Sequence, residues 1–332
     1  MKNQSAIVSR RRALTSLGGI GVALTGLAGV PAFAQGVDRP VRFILPVATG
    51  SGVDTITRAA GQALAKALGH PVVIENQAGA GGVIGTSTMI KSAPDGFTLS
   101  IVSNNHVIYP SVLKSVPFDP INDITPIMVI GTTPLVLVVN PKVPATNARE
   151  LIALLKARPD GLNYASSGNG TILHLAAEMF MDEAGVKAKH IPYKGVGPML
   201  GDLIGGQVEI GVLALPSVQS QIKSGMLRAI GTASAQRLPA APEIPTFVEQ
   251  GLPNYVMEGW FAVVGPKGLP AADVNRIHDA FTVAFNTPEV KESMAKQGNT
   301  ITMSTPEAAQ AFFRSELVKY AALVKKAGLE PQ

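Results

Sequence analysis

The sequence contains no cysteine and one tryptophan, and aromatic residues make up only 5% of its 332 positions. The absence of cysteine excludes disulfide bonds, cysteine-ligated metals and a lipid anchor on a cysteine. Histidines are also few, and the five that are present lie scattered, without metal-ligand spacing. We therefore expect neither a metal site nor a bound cofactor.

Long apolar runs are confined to the N-terminus, where residues 1–34 have the pattern of an export signal. Lys2 and Arg10–Arg12 precede an apolar stretch, and Ala32-Phe33-Ala34 forms a cleavage pattern. The order around Arg10–Arg12 also resembles a twin-arginine signal, so that route and the general secretory route both stay open. We expect cleavage after Ala34 and a periplasmic or secreted protein.

Removal of this segment changes the charge of the chain. It takes away four of the 28 basic residues and none of the 23 acidic ones, which leaves a net charge of +1 instead of +5. A nearly neutral chain without a basic run or many aromatics is not typical of nucleic-acid binding. The roughly 300 residues that remain exceed what one hydrophobic core usually serves, so we expect two domains.

Strand-like apolar runs alternate with helical patterns along the mature chain, which predicts an α/β fold with parallel sheets. One series starts at Val41–Leu45 and a second at about residue 135. Helical patterns over 270–286 and 306–326 close the chain and are expected to pack on the first domain. We predict that residues 35–136 and 260–332 form domain 1 and residues 137–259 form domain 2.

Two glycine- and serine-rich loops, Pro46–Asp54 and Ala165–Thr171, each follow a strand pattern and precede a helix pattern. The N–H groups at a helix start are unpaired and carry the positive end of the helix dipole, and glycine lets the backbone approach a ligand. The alternative is a tight turn in which Asp54 only caps its helix. We favour ligand contact and predict two anion cradles, one in each domain.

The predicted ligand contacts come from these two loops and from two other strand ends. His174 either touches the ligand or supports its loop, and Tyr193 either contacts the ligand or fills the domain interface. The segment from Ser103 to His106 either contacts the distal part of the ligand or forms a turn. The candidates are Val47, Thr49, Gly50, Ser51, Gly52, Val53, Asp54, Asn104, His106, Ser166, Ser167, Gly170, Thr171, His174 and Tyr193.

Several short motifs occur in a fixed order along the mature chain. They are Pro46–Arg58, Glu75–Gly82, Pro94–Leu99, Asn163–Ser166 continuing through Gly170 and Thr171 to His174, Pro192–Gly195, Pro198, Asp202–Leu203, Gly206–Val208 and Trp260–Phe261. In this order they resemble the tripartite tricarboxylate transporter substrate-binding proteins, also called the Bug family. Two positions depart from the family pattern, because Ser51 replaces a usual glycine and Val47 a common aromatic residue.

The resemblance implies a type II periplasmic binding protein, in which two α/β domains joined by two crossing strands surround a ligand cleft. It implies that a small organic acid or amino acid is held by loop backbone groups, hydroxyls and water. The implied partners are the membrane subunits of a tripartite tricarboxylate transporter, and a sensor kinase of a two-component system is the alternative. We expect a monomer.

An enzyme is the less favoured alternative. A serine-dependent hydrolase would use Ser166 or Ser167 with His174, but the sequence has no G-x-S-x-G elbow. No paired carboxylates in an apolar setting stand out either. We therefore predict a binding protein without catalytic activity.

Overall fold

The computed structural model describes residues 39–331, and the predicted export signal lies outside this range. The strands are β1 (Val41–Leu45), β2 (Val72–Asn76), β3 (Thr98–Ser103), β4 (Ile124–Val139), β5 (Asn163–Ser166), β6 (Lys189–Pro192), β7 (Ile210–Ala214), β8 (Arg228–Thr232), β9 (Glu258–Pro266) and β10 (Thr300–Ile301). The helices are α1 (Gly52–Leu68), α2 (Val83–Ile90), α3 (Asn105–Val112), α4 (Ala148–Ala157), α5 (Ile172–Ala184), α6 (Val196–Gly205), α7 (Leu215–Lys223), α8 (Ala271–Phe285), α9 (Pro288–Lys296) and α10 (Pro306–Lys326).

The strands form one continuous sheet in the order β2-β1-β3-β9-β4-β7-β5-β6, and β8 and β10 also pair with β4. β1 pairs in parallel with β2 and β3, and β5 pairs in parallel with β6 and β7. β4 and β9 run antiparallel to the strands beside them. The sheet therefore has two parallel sections separated by antiparallel strands, and the predicted α/β class is confirmed.

Two passages of the chain connect these sections. Ile124 to Pro134 of β4 pair with β9, whereas Leu135 to Val139 of the same strand pair with β7. The chain returns just before β9, where the Met257 N–H donates to the Ala233 carbonyl at 2.8 Å. The two predicted crossing strands are thus β4 and the start of β9, whereas the exact domain boundaries stay predictions.

Local sequence signals set several helix ends. Asn147 accepts from the Glu150 N–H at 3.0 Å at the start of α4, as the capping spacing predicts. Thr305 caps α10, and Pro306 occupies the first helical position, where proline is favoured. Gly69 and Gly185 end α1 and α5 in the left-handed conformation that glycine adopts without strain.

The core of the first section lies between the sheet and the helices α1 and α8. Phe43 of β1 meets Phe281 of α8 edge to face with ring centroids 5.7 Å apart, and Phe281 stacks on Phe285 at 6.0 Å. All three rings are fully buried. This contact joins α8, which follows β9 near the end of the chain, to β1, the first described strand.

We predict that Phe281→Ala lowers the free energy of unfolding by about 3–5 kcal/mol, because the truncated side chain leaves a cavity between α8 and β1. Val283→Ala on the exposed side of the same helix is the matched control, and a change within about 0.5 kcal/mol is expected there. Urea denaturation followed by circular dichroism measures both. A loss below about 1 kcal/mol for Phe281→Ala would contradict the packing described here.

Candidate functional site

A cleft lies between the β1–α1 loop and the β5–α5 loop. It consists of two adjoining hollows of about 520 and 330 Å³, open space included. The larger, here called the strand-side hollow, reaches the crossing strands, where Thr133, Leu135 and Trp260 line it. The smaller, called the loop-side hollow, is lined mainly by loops and helix starts. Both are lined by Val47, Ser51, Asn105, Ser167 and Val196.

Among residues 39–331, five helices begin at this cleft. The starts of α1, α3, α5 and α6 surround the loop-side hollow, and α7 begins at the strand-side hollow. The first N–H groups of each helix carry positive partial charge, so five positive helix ends face one cavity. The residues that bring these starts into the wall are Ser51, Asn105, Thr171 and Val196, and, for α7, Ala214 and Ser217.

Within residues 39–331, no side chain that lines the cleft is ionisable. Apolar side chains such as Val47, Leu135 and Trp260 form much of the wall, and hydroxyls and amides supply its polar groups. The positive helix ends are therefore not neutralised by carboxylates in the wall. Such a cavity favours an anion, and its low polarity strengthens each hydrogen bond that the anion accepts.

The first loop is shaped by a helix cap and a buried carboxylate. Ser51 caps α1, its Oγ accepting from the Asp54 N–H at 3.2 Å, so the cap is not Asp54. The Asp54 carboxylate accepts from the Gly50 N–H, from Arg58 and from Asn76, each at 2.9 Å. Asp54 thus holds the loop from behind the cleft. Within the described chain the N–H groups of Gly52 and Val53 have no acceptor.

The second loop is held by a similar set of short-range bonds. Thr171 caps α5 and donates its hydroxyl to the Gly168 carbonyl at 2.8 Å, and Ser167 donates to the Thr171 Oγ1 at 3.2 Å. The Gly170 N–H donates to Nδ1 of His174 at 3.0 Å. His174 therefore supports its loop, the second of its two predicted roles.

The structure brings seven of the fifteen predicted contact residues to the cleft wall: Val47, Ser51, Gly52, Val53, Asn104, Ser167 and Thr171. Eight others do not line it: Thr49, Gly50, Asp54, His106, Ser166, Gly170, His174 and Tyr193. Thr49 and Gly50 lie exposed at the tip of the first loop. The remaining six bind other parts of the protein.

His106 is a core residue of α3. Its Nε2 lies 2.7 Å from the Pro120 carbonyl oxygen, and its ring packs against Phe118 and Phe313. Burial lowers the pKa of His106 to about 4, although the hydrogen bond to Pro120 opposes this shift. The ring is therefore neutral at physiological pH and lies away from the cleft.

Tyr193 is likewise occupied elsewhere. Its hydroxyl donates to the Asp202 carboxylate at 2.8 Å. Burial and the hydrogen bond to Asp202 raise the pKa of Tyr193 to about 12. The side chain connects the end of β6 to α6 and does not line the cleft.

Two stacked histidines lie behind the second loop. The rings of His174 and His190 are parallel with centroids 3.9 Å apart, and Nε2 of His190 lies 2.7 Å from the Ser166 Oγ. Burial, followed by the charge of His174, lowers the pKa of His190 to about 4. Ser166 is thus bonded to this stack and does not line the cleft.

The lining residues outside the fifteen candidates include Asn105, which belongs to the segment considered from Ser103 to His106, and also Thr133, Ser217 and Trp260. Asn105 connects the two sides, because its Oδ1 accepts from the N–H of Ile172, the first residue of α5, at 2.8 Å. Ser217 could have been predicted from the sequence, because it follows the end of β7 at the start of a helix that contains proline in its first turn. Thr133 lies inside a strand, and no local pattern marks it.

Glycines permit the close approach of the two sides. A Cβ added to Gly52 would lie 2.8 Å from the Ala214 Cβ, and one added to Gly195 would lie 2.6 Å from the Ala48 Cβ. Real side chains do not approach so closely. Any larger residue at these positions must push the first loop away from α6 or α7.

The fold and the cleft together define a type II periplasmic binding protein, with two α/β domains joined by two crossing strands. The model of the tripartite tricarboxylate transporter family receptor matches residues 56–329. The chain belongs to this family, and the resemblance to the Bug proteins is confirmed.

The similarity to known relatives extends over nearly the full length of both chains. Protein BugT of Bordetella pertussis is 36% identical over 312 residues, which cover 93% of this chain and 96% of that protein. The structure of the periplasmic binding protein BugD matches with a TM-score of 0.85 and 31% identity, covering 89% of this chain and 99% of that one. An R. palustris protein solved with adipate matches with a TM-score of 0.85 and 29% identity, over 89% and 99% of the two chains.

Proteins of this family are substrate-binding proteins and not enzymes, so the chain is not an enzyme. Members of the family are periplasmic. In residues 39–331 no helix combines the length and apolar character that crossing a membrane requires.

The depressed pKa of His190 predicts a pH-dependent stability. Between about pH 7 and pH 5 the unfolded chain takes up a proton at this residue before the folded protein does, so stability falls as the pH falls. His190→Gln should reduce this slope by about half, because His106 stays in place. Urea denaturation across this range measures the slope, and an unchanged slope in the variant contradicts the prediction.

Substitution of Gly52 should separate the two sides of the cleft. We predict that Gly52→Ala forces the start of α1 away from Ala214, exposes Trp260 to water and shifts its fluorescence to longer wavelength. Trp260 is the single tryptophan and is 3% exposed, so the signal has one source. Gly61→Ala in the same helix is the control, since its Cβ would lie 3.8 Å from Ile74. Identical spectra for both variants would refute the close contact.

Proposed function

We propose that this protein captures a small carboxylate in the cleft and delivers it to the membrane subunits of a tripartite tricarboxylate transporter. The observation that carries the proposal is the convergence of five helix starts on a cavity without ionisable side chains. Fixed N–H donors and helix dipoles stabilise a carboxylate without a cationic partner. The adipate in the R. palustris neighbour supports an organic acid as the ligand class.

The carboxylate is held at the loop-side hollow. Gly52 and Val53, whose N–H groups have no acceptor among the described residues, lie at the start of α1 and line the adjoining strand-side hollow. The hydroxyls of Ser51, Ser167 and Thr171 lie in the wall of the loop-side hollow itself. Each of these hydroxyls also takes part in a loop hydrogen bond, so water completes the coordination. The residues behind the wall, such as Asp54 and His174, keep the donors in position.

Binding is coupled to the contact between the two domains. Asn105 bonds to Ile172 across the cleft, and the first loop meets Ala214 on the other side. A ligand that accepts hydrogen bonds from both sides stabilises this contact and shifts the population towards it. Domain 1 is formed by residues 35–136 and 260–332 and domain 2 by residues 137–259.

The protein acts in the periplasm as a monomer after removal of residues 1–34. The periplasmic location of the family and the signal pattern at the N-terminus support this placement. We favour delivery to a transporter over delivery to a sensor kinase, because the family is named for the receptor of a transporter.

Ser51 offers a sharp test of the carboxylate. Ser51→Asp keeps an oxygen that can cap α1 but places a negative charge at the cradle, which costs on the order of 1–4 kcal/mol against a bound anion. We expect its affinity for the ligand to fall at least roughly tenfold. Ser51→Asn keeps a similar size and capping ability without the charge, and its affinity should stay within about threefold.

Native mass spectrometry of the protein as purified identifies a bound acid, and calorimetry with that acid and with a panel of small mono- and dicarboxylates measures the affinities. Equal loss in Ser51→Asp and Ser51→Asn would contradict an anion at this position. Chemical conversion of the acid by the pure protein would contradict a binding function.

A further inference from the structure

The strand-side hollow contains two hydroxyls with no internal partner. The Oγ1 of Thr133 and the Oγ of Ser217 are buried, and neither has a hydrogen-bond partner among residues 39–331. Thr133 as a whole is 6% exposed. A buried hydroxyl without a partner lowers stability by about 1–3 kcal/mol, so a ligand group that pairs with it gains affinity.

The position of Thr133 is fixed by the crossing strands. It pairs with Gly259 of β9, and a Cβ on Gly259 would lie 2.7 Å from the Thr133 methyl group. The methyl group therefore packs on β9. The threonine is thus held rigidly where the two crossing passages meet at the end of the cleft.

The neighbouring amide is not available to a ligand. Asn104 lines the same hollow, but both ends of its amide already have partners. Its Oδ1 accepts from the backbone N–H of Trp260 at 2.8 Å, and its Nδ2 donates to the Tyr320 hydroxyl. The Trp260 ring is fixed in turn by Glu316, which accepts from the indole N–H at 2.8 Å. Among the described residues of this hollow, Thr133 and Ser217 carry the buried side-chain oxygens without a partner, so these two hydroxyls can pair with a ligand.

The two ends of the cleft differ in their capacity for negative charge. The starts of α1, α3, α5 and α6 line both hollows, and among the described helices the strand-side hollow adds only α7. A carboxylate in the loop-side hollow already takes up the positive ends of the four shared starts. α7 has a proline, Pro216, in its first turn, which removes one N–H donor. A second carboxylate at this end would be desolvated beside Leu135 and Trp260 without a charged partner.

We propose that the cleft selects monocarboxylates whose far end carries an uncharged hydrogen-bonding group, such as a hydroxyl, keto or amide, and that Thr133 and Ser217 bind this group. The proposal rests on the proposed function, since the carboxylate itself occupies the loop-side hollow. It sets this chain apart from the R. palustris neighbour, whose structure holds the dicarboxylate adipate.

The test compares two matched series of acids. Hexanoate, 6-hydroxyhexanoate and adipate differ only at the far end, and so do benzoate, 4-hydroxybenzoate and terephthalate. Calorimetry and Trp260 fluorescence measure their affinities for the mature protein. In at least one series we expect the hydroxy acid to bind roughly tenfold tighter than both the unsubstituted acid and the diacid.

Variants connect the preference to the two hydroxyls. Thr133→Val and Ser217→Ala should each reduce the preference for the hydroxy acid over the unsubstituted acid by at least about fivefold and change the affinity for the unsubstituted acid by less than about twofold. Thr133→Ser keeps the hydroxyl and should keep the preference. Ser220→Ala, on the exposed side of α7, is the matched control.

Tightest binding of the diacid in both series would overturn the proposal, and so would an unchanged preference in the double variant Thr133→Val, Ser217→Ala. Either result leaves the carboxylate site of the proposed function intact. If none of the six acids binds, both the proposed function and the distal preference fail.

Discussion

The cleft depends on one electrostatic arrangement, the convergence of positive helix ends on a space whose described wall carries no ionisable side chain. Each helix end contributes about half an elementary charge, and low polarity around it strengthens the effect. An arginine would provide a stronger single contact, but it would need a long side chain to be ordered. Helix starts fixed by the sheet are already in position, so little conformational freedom is lost on binding.

The loops that present these helix ends are stabilised from behind by charged and polar groups. Asp54 connects the first loop to Arg58 and Asn76, and His174 holds the second loop through Gly170. At the crossing strands Glu316 fixes Trp260. The ionisable groups near the site thus hold the loops and Trp260 in position, and the described wall of the cleft itself contains no ionisable side chain.

The meeting of the two sides explains why certain positions are glycine. Gly52 faces Ala214 and Gly195 faces Ala48, with no room for a Cβ at either place. Contact between these residues brings the start of α1 close to α6 and α7, which belong to the other part of the sheet. The same contact places donors from both sides around one ligand.

The sequence by itself determined the family, the α/β class and the two loops, because each depends on neighbouring residues: a strand pattern, a glycine-rich turn and a helix start. It also predicted that His174 either supports its loop or contacts ligand, and the structure shows the supporting bond from Gly170. Ser51 and Thr171 were among the predicted contacts because a glycine- and serine-rich loop before a helix start is a local feature, whereas the cap of α1 is Ser51 and not Asp54.

Only the tertiary structure decided which side chains line the cleft. His106 follows a strand end as Asn104 does, yet its ring turns into the core between Phe118 and Phe313. Thr133 and Ser217 lie far apart in the chain but line the same hollow. They do so because β4 crosses between the two sections of the sheet, and α7 begins at the end of β7, which pairs with β4. Such convergence is set by the packing of distant elements, and no local pattern in the sequence contains it.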